Sequence, residues 1–193
     1  MIELHRGSIA VDGVDLRSIS RKTVRTRLIA IPQDPFLLPG TVRFNAAPGG
    51  SDSVADDSHI IAALAKVGLW PHVQNCGGLD ADIDALALSH GQQQLFCLAR
   101  AMLRRGTILV LDEATSNVDW ATDELMQRVI RAEFADKTII TVAHRLRTIL
   151  YSDVVVVLGD GQILEAGHPG ELLARAGPFR ELCGAQGITI DSI

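Results

Sequence analysis

The chain has 193 residues, 47% of them hydrophobic and 21% charged, with 17 glycines and 7 prolines. That is the composition of one globular domain or two small ones, and it excludes a collagenous, low-complexity or disordered chain. With 18 basic against 23 acidic side chains the formal net charge is −5, so the broad cationic surface that binds nucleic-acid phosphates is missing and no nucleic-acid partner is expected.

No apolar run approaches the ~18 residues of a membrane-spanning helix. The opening Met1-Ile2-Glu3-Leu4-His5-Arg6 lacks the basic-then-apolar order of a secretory leader, so the chain reads as intracellular. Cys76, Cys97 and Cys183 have no metal-ligand spacing and are odd in number, which reads as reduced, mostly buried thiols.

In chain order, residues 7–31 read as strands around turns. Ile9-Ala10-Val11 runs into the hairpin pair Asp12-Gly13, and Arg27-Leu28-Ile29-Ala30-Ile31 is an apolar strand. From about 50 to 104 the pattern is helical and predicts a small helical subdomain. Ile60, Ile61, Leu64 and Val67 share one face, and Gly68, Pro71 and Gly77-Gly78 break the run. From Thr107 onward, buried strands at Ile108–Leu111, Thr138–Val142 and Val154–Leu158 alternate with helices, one of them near Asp123–Phe134. Short, almost wholly apolar strands between helices predict an α/β fold with a mainly parallel core sheet covered on both faces. Val154–Leu158 and Gln162–Gly167, joined through Gly159-Asp160-Gly161, read instead as an antiparallel edge hairpin.

Two local patterns carry chemistry. Ile108-Leu109-Val110-Leu111-Asp112-Glu113 puts two carboxylates at the carboxyl end of a buried strand, where open α/β sheets collect ligands. Asp112 there suits a water-shelled Mg²⁺ and Glu113 suits polarisation of an attacking water; taken alone, the pair serves equally well as the start of an exposed loop. Ser89 and Gln92 have capping-box spacing, so Ser89 caps a helix whose positive end faces outward and can attract phosphate. Gly91 in that first turn costs the helix roughly 1 kcal/mol relative to Ala, which is reasonable if bare backbone must approach a ligand. A lone S-x-x-Q is more often an ordinary cap.

Order adds what the separate patterns lack. A capped helix precedes a strand ending in Asp-Glu, followed by Ala114-Thr115-Ser116-Asn117-Val118-Asp119, and the next apolar strand ends at Ala143-His144-Arg145. In this the chain resembles an ATP-binding-cassette (ABC) nucleotide-binding domain. Leu88–Gln92 resembles the signature motif, Ile108–Glu113 the Walker B strand, Ser116–Asp119 the D-loop and His144 the switch histidine. Ile31-Pro32-Gln33-Asp34-Pro35-Phe36, followed by Pro39–Asn45, resembles the Q-loop region of exporters. Within the family the chain most resembles the second cassette of the multidrug-resistance-associated (C) subfamily.

The resemblance implies a P-loop NTPase-like fold, ATP with Mg²⁺, and a catalytic set of Glu113 as base, Gln33 on the metal or attacking water, and His144 on the γ-phosphate. Asp112, with Gln33, would hold the metal. Ser89, Gly91 and Gln92 would bind nucleotide held by a second cassette in a head-to-tail dimer, with Ser116 and Asp119 at the seam. The transmembrane domains of an exporter would be partners near Gln33, on the cytoplasmic face of a membrane. These roles follow phosphoryl-transfer logic, in which positioning and charge compensation supply most of the catalysis.

The chain departs from the family in lacking G-x-x-x-x-G-K-[ST]; its lysines are Lys22, Lys66 and Lys137, none in that setting. The opening resembles the segment after the P-loop helix, so a tail of a longer transporter or a truncated product is expected. An exposed apolar patch and poor solubility should follow. His90 stands where the family has a small or aliphatic residue, and is expected to point outward. A non-catalytic module lending its signature helix to a partner's site is the alternative function. A chromosome-organising ABC ATPase is disfavoured by the absence of sustained heptads and by the acidic balance.

Overall fold

A computed structural model describes residues 6–48, 56–115, 117–143 and 145–189. The chain divides into two compact units, Met1–Ile140 and Thr141–Ile193.

The first unit opens with the expected hairpin, β1 (Ala10–Val11) and β2 (Val14–Asp15), antiparallel with Val11 opposite Val14. Asp12 and Gly13 both adopt positive φ, 50° and 79°, the geometry of the tight two-residue turn whose twist matches the strands it joins. The rest of 7–31 is less strand-rich than the sequence suggests. Ser20 caps a helix, α1 (Arg21–Arg27), its hydroxyl accepting from the Thr23 N–H. Only one α1 side chain, Val24, is buried, so no apolar periodicity announced this helix. The strand β3 (Leu28–Ile31) follows, close to the expected bounds.

Thr41 caps a short helix, α2 (Val42–Ala46). Next come α3 (Asp57–Lys66), capped by Asp56, and α4 (Trp70–Asn75). Gly68 and the Gly77-Gly78 pair take positive φ and separate the helical segments. Pro71 does not: it lies in the first turn of α4, where its missing N–H has no intrahelical acceptor to lose.

The long helix α5 (His90–Met102) is buried from Gln94 through Ala99 and again at Ala101. It packs against α2, α3, β3 and α6 (Trp120–Glu133). Phe96, Leu98, Leu64, Leu109, Ile29 and Met126 are among the least exposed residues of this core.

The strand β4 (Ile108–Asp112) lies parallel to β3, Leu28 opposite Ile108 and Ile31 opposite Leu111. Gly106 makes that approach possible: a Cβ there would sit 2.7 Å from the Arg27 carbonyl oxygen. The parallel pairing bears out the α/β fold class.

The third strand of the sheet, β5 (Thr138–Val142), neighbours β4 in the order β3-β4-β5. It is not the buried strand that its sequence suggests, since all five residues are exposed and Ile139, Ile140 and Val142 are 37%, 51% and 52% accessible. An apolar strand is buried only when something packs on its faces, and the described residues leave this one open, in keeping with the expected apolar patch.

The second unit contains a 3-10 turn (Leu146–Ile149), the strands β6 (Val155–Gly159) and β7 (Gln162–Gly167), and the helices α7 (Pro169–Ala174) and α8 (Pro178–Ala185). The expected antiparallel hairpin is present, with Val155 opposite Gly167. Its first strand is one-sided: Val155 and Val157 are buried, while Val156 and Leu158 are exposed. Val155, Val157, Leu172, Leu173, Phe179 and Cys183 form this unit's own core. The expected thiols are present: all three cysteines are free, and Cys97 and Cys183 are buried.

Candidate functional site

The parallel register of β3 and β4 decides where the candidate residues emerge. Both strands run the same way with matched ends, so Pro32-Gln33 and Asp112-Glu113 leave the sheet at the same carboxyl edge. Asp112 and Gln33 are exposed there and Glu113 is half-buried. Glu113 has a φ of 47°, a left-handed conformation that strains a non-glycine residue and is found disproportionately at functional sites. The donors at this edge are carboxylate and amide oxygens. That set fits Mg²⁺, a hard cation held through one or two carboxylates and the phosphates of a bound nucleotide.

The Ser89 turn has the predicted geometry. The Ser89 hydroxyl accepts from the Gln92 N–H at 3.3 Å, and the Ser89 N–H donates to Gln92 Oε1 at 2.9 Å, a reciprocal capping box. Gln92 is thus a capping residue through its side-chain oxygen. The box leaves the N–H groups of His90 and Gly91 without intrahelical acceptors, at the positive end of a 13-residue helix. That end can attract an anion. His90 is exposed, as expected.

Asp119 caps α6 and so has a structural task the sequence reading did not give it. Its carboxylate accepts from the Thr122 N–H at 3.1 Å and from the Thr122 hydroxyl at 2.6 Å. Those bonds, the hydroxyl's first, hold its carboxyl below the ordinary range. Ser116 and His144 lie outside the described residues.

Three residues that the sequence reading passed over organise the loop carrying Gln33. Gln94 Nε2 donates to the Pro32 carbonyl at 3.3 Å and to that of Gln33. Arg100 donates to the carbonyls of Phe36 at 2.8 Å and Asn45 at 2.7 Å. Asn45, fully buried, closes the loop: its Oδ1 accepts from the Leu38 N–H at 2.8 Å and its Nδ2 donates to the Leu38 carbonyl at 2.7 Å. The available signal was polarity out of place, since Gln94 and Arg100 interrupt an otherwise apolar face of α5.

Comparison with known proteins places this arrangement. Residues 1–116 match the ABC transporter family. ABC multidrug transporter B of Aspergillus fumigatus is 52% identical over 179 residues, covering 93% of this chain and 12% of that protein. ATP-binding cassette sub-family C member 2 of Homo sapiens is 46% identical over 191 residues, 97% of this chain and 12% of that protein. The solved structure of a bacterial Atm1-family ABC exporter with ATP bound superposes with a TM-score of 0.85 at 31% identity, over 95% of this chain and 32% of that one. The chain therefore spans about 12% of the length of these curated relatives. No helix among the described residues is long and apolar enough to cross a membrane. With the parallel β3–β4 pair, the capped helix α5 and the family match over most of its length, this chain belongs to the ABC transporter family and has the P-loop NTPase fold of the nucleotide-binding cassettes of membrane exporters.

Proposed function

We propose that the chain supplies the signature helix and the hydrolytic edge of an ATP-hydrolysing cassette in an ABC exporter, acting in a head-to-tail pair with a second cassette. The observation that carries this reading is the matched parallel register of β3 and β4, which delivers Gln33, Asp112 and Glu113 to one sheet edge. Asp112 and Gln33 hold Mg²⁺, which supplies charge neutralisation for the phosphates when bound. Glu113 takes the proton of, or orients, the attacking water. Its left-handed backbone, a costly conformation for a non-glycine residue, supports a functional role at this position.

Ser89, Gly91 and Gln92 shape the α5 terminus that meets the γ-phosphate of a nucleotide held by the partner cassette. Ser116 and Asp119 lie at the seam between cassettes, and His144 contacts the γ-phosphate. The transmembrane domains of the exporter dock near Gln33, and the cassette works on the cytoplasmic face of their membrane. The transporter's cargo is set in those domains.

No G-x-x-x-x-G-K-[ST] run occurs in the 193 residues, so the phosphate cradle comes from another segment or chain. The test follows from that. A fluorescent ATP analogue titrated into this chain alone should show weak or no affinity. Mg²⁺-dependent hydrolysis should appear when a P-loop-bearing segment is joined to it, and Glu113→Gln should lower that hydrolysis on the order of 100-fold or more while leaving nucleotide binding intact. Low-micromolar binding by the chain alone, or hydrolysis indifferent to Glu113→Gln, would overturn the reading. In the second case, impairment of a partner's hydrolysis by Ser89 or Gly91 substitutions would assign the chain to the non-catalytic, signature-lending role.

A further inference from the structure

From α5, Gln94 and Arg100 both reach the chain that follows β3. Gln94 donates to the carbonyls of Pro32 and Gln33. Arg100 donates to the Phe36 carbonyl at 2.8 Å and, beyond it, to Asn45. Among the described residues, each of these hydrogen bonds to the loop ends on a main-chain carbonyl. Gln33 and Phe36 consequently stay outward, Phe36 being 64% exposed.

The chemistry of Gln94 argues against a mere filler. It is fully buried, and its Oε1 has no hydrogen-bond partner among the described residues. A buried amide with half its capacity unmet is unfavourable relative to an apolar side chain of equal length, unless its donor half performs a task that Leu or Met cannot. Arg100 likewise gives up solvation to reach carbonyl oxygens, its guanidinium lying over the Phe96 ring at 5.8 Å.

We propose that Gln94 and Arg100 form a main-chain strap that locks the Pro32–Phe36 loop onto α5, so that Gln94 is a positioning residue for Gln33. The consequence for Gln33 rests on its proposed metal or water role; the strap itself does not.

The experiment is residue-resolved amide exchange by NMR on the 193-residue chain without nucleotide, so its outcome is independent of whether the chain binds ATP. Arg100→Met, close in length but without donors, should speed exchange at Leu38, whose N–H donates to the Asn45 side chain that Arg100 holds, about 5- to 10-fold, whereas Arg100→Lys, which keeps a charged donor, should stay nearer the wild-type rate. Both substitutions remove the guanidinium, so a packing role would move them together. Gln94→Met, close in length but without donors, should loosen Leu38 by on the order of 10-fold while Leu109 and Leu111 in β4 keep their protection. If Gln94→Met also releases β4, the Arg100 pair alone decides. Equal exchange at Leu38 in Arg100→Met, Arg100→Lys and wild type would overturn the strap. An intact strap together with absent nucleotide dependence would count against the function proposed for Gln33 and not against the strap.

Discussion

Gly91 lies against Thr122: a Cβ at Gly91 would be 3.4 Å from both Thr122 Oγ1 and Thr122 Cγ2, and 3.7 Å from Asp119 Oδ2. The Ser89 turn and the cap of α6 are therefore packed side by side. The missing side chain faces this neighbouring helix terminus, which the ligand-approach argument from sequence did not anticipate. The space nevertheless admits a methyl at ordinary contact distance.

That spacing separates stability from function. Gly91→Ala should leave the thermal midpoint unchanged or raise stability by up to about 1 kcal/mol, because helix propensity improves and the contact is tolerable. It should still weaken any nucleotide response that depends on the Ser89 turn. Calorimetry on the variant gives the first result; a loss of several kcal/mol would show that the glycine is required by the α5–α6 contact itself.

Acid should fray two helix starts. Asp56 caps α3 through the Ser58 hydroxyl at 2.7 Å, the His59 N–H at 3.0 Å and His59 Nδ1 at 2.7 Å. The Ser58 bond contributes most, and together the contacts lower its carboxyl to about 2. Asp119 is lowered too, chiefly by the Thr122 hydroxyl. A carboxyl depressed in the folded state contributes stability in full above the unfolded value near 4, and that contribution is lost as pH falls through the folded value. Urea midpoints should decline as pH falls below about 4. Asp56→Asn, which keeps a capping oxygen without a titrating group, should flatten part of that decline.

The open face of β5 makes Ile140 replaceable. Ile140→Lys should change stability by no more than about 0.5 kcal/mol, as expected for an exposed position. The same change should lower concentration-dependent light scattering, since a charge on an exposed apolar strand opposes edge-to-edge association. Severe destabilisation would mean that the strand is covered in solution.

In the second unit, Glu165 ties β7 to α8. Its carboxylate accepts from the Phe179 N–H at 2.8 Å and pairs with Arg175 Nε at 3.4 Å, with only 9% of the side chain exposed. Glu165→Ala should destabilise this unit by about 1–3 kcal/mol by leaving a helix-start N–H unpaired. Glu165→Gln, which retains an acceptor, should be milder. Comparison of the two by chemical denaturation checks the assignment.

The elements legible in the sequence are those fixed by short-range chemistry. Asp12-Gly13 dictates its turn, Ser89 and Gln92 their capping box, and the run at Ile108–Leu111 its strand, because each depends on residues within a few positions of one another. Helix α1 escaped detection because it buries little more than Val24. Pro71 misled because proline ends one helix and begins another with the same backbone angle.

The sequence by itself determined the family, the α/β class and the capped Ser89 turn, since these reside in residue types and local spacing. Tertiary structure alone decided that β5 stands open, that Gly91 abuts Thr122 and that Gln94 and Arg100 hold the main chain around Gln33. These are long-range outcomes. Whether an apolar strand is covered, or whether a buried amide finds a carbonyl some 60 residues away, depends on which surfaces the folded chain brings together, and no local pattern encodes that.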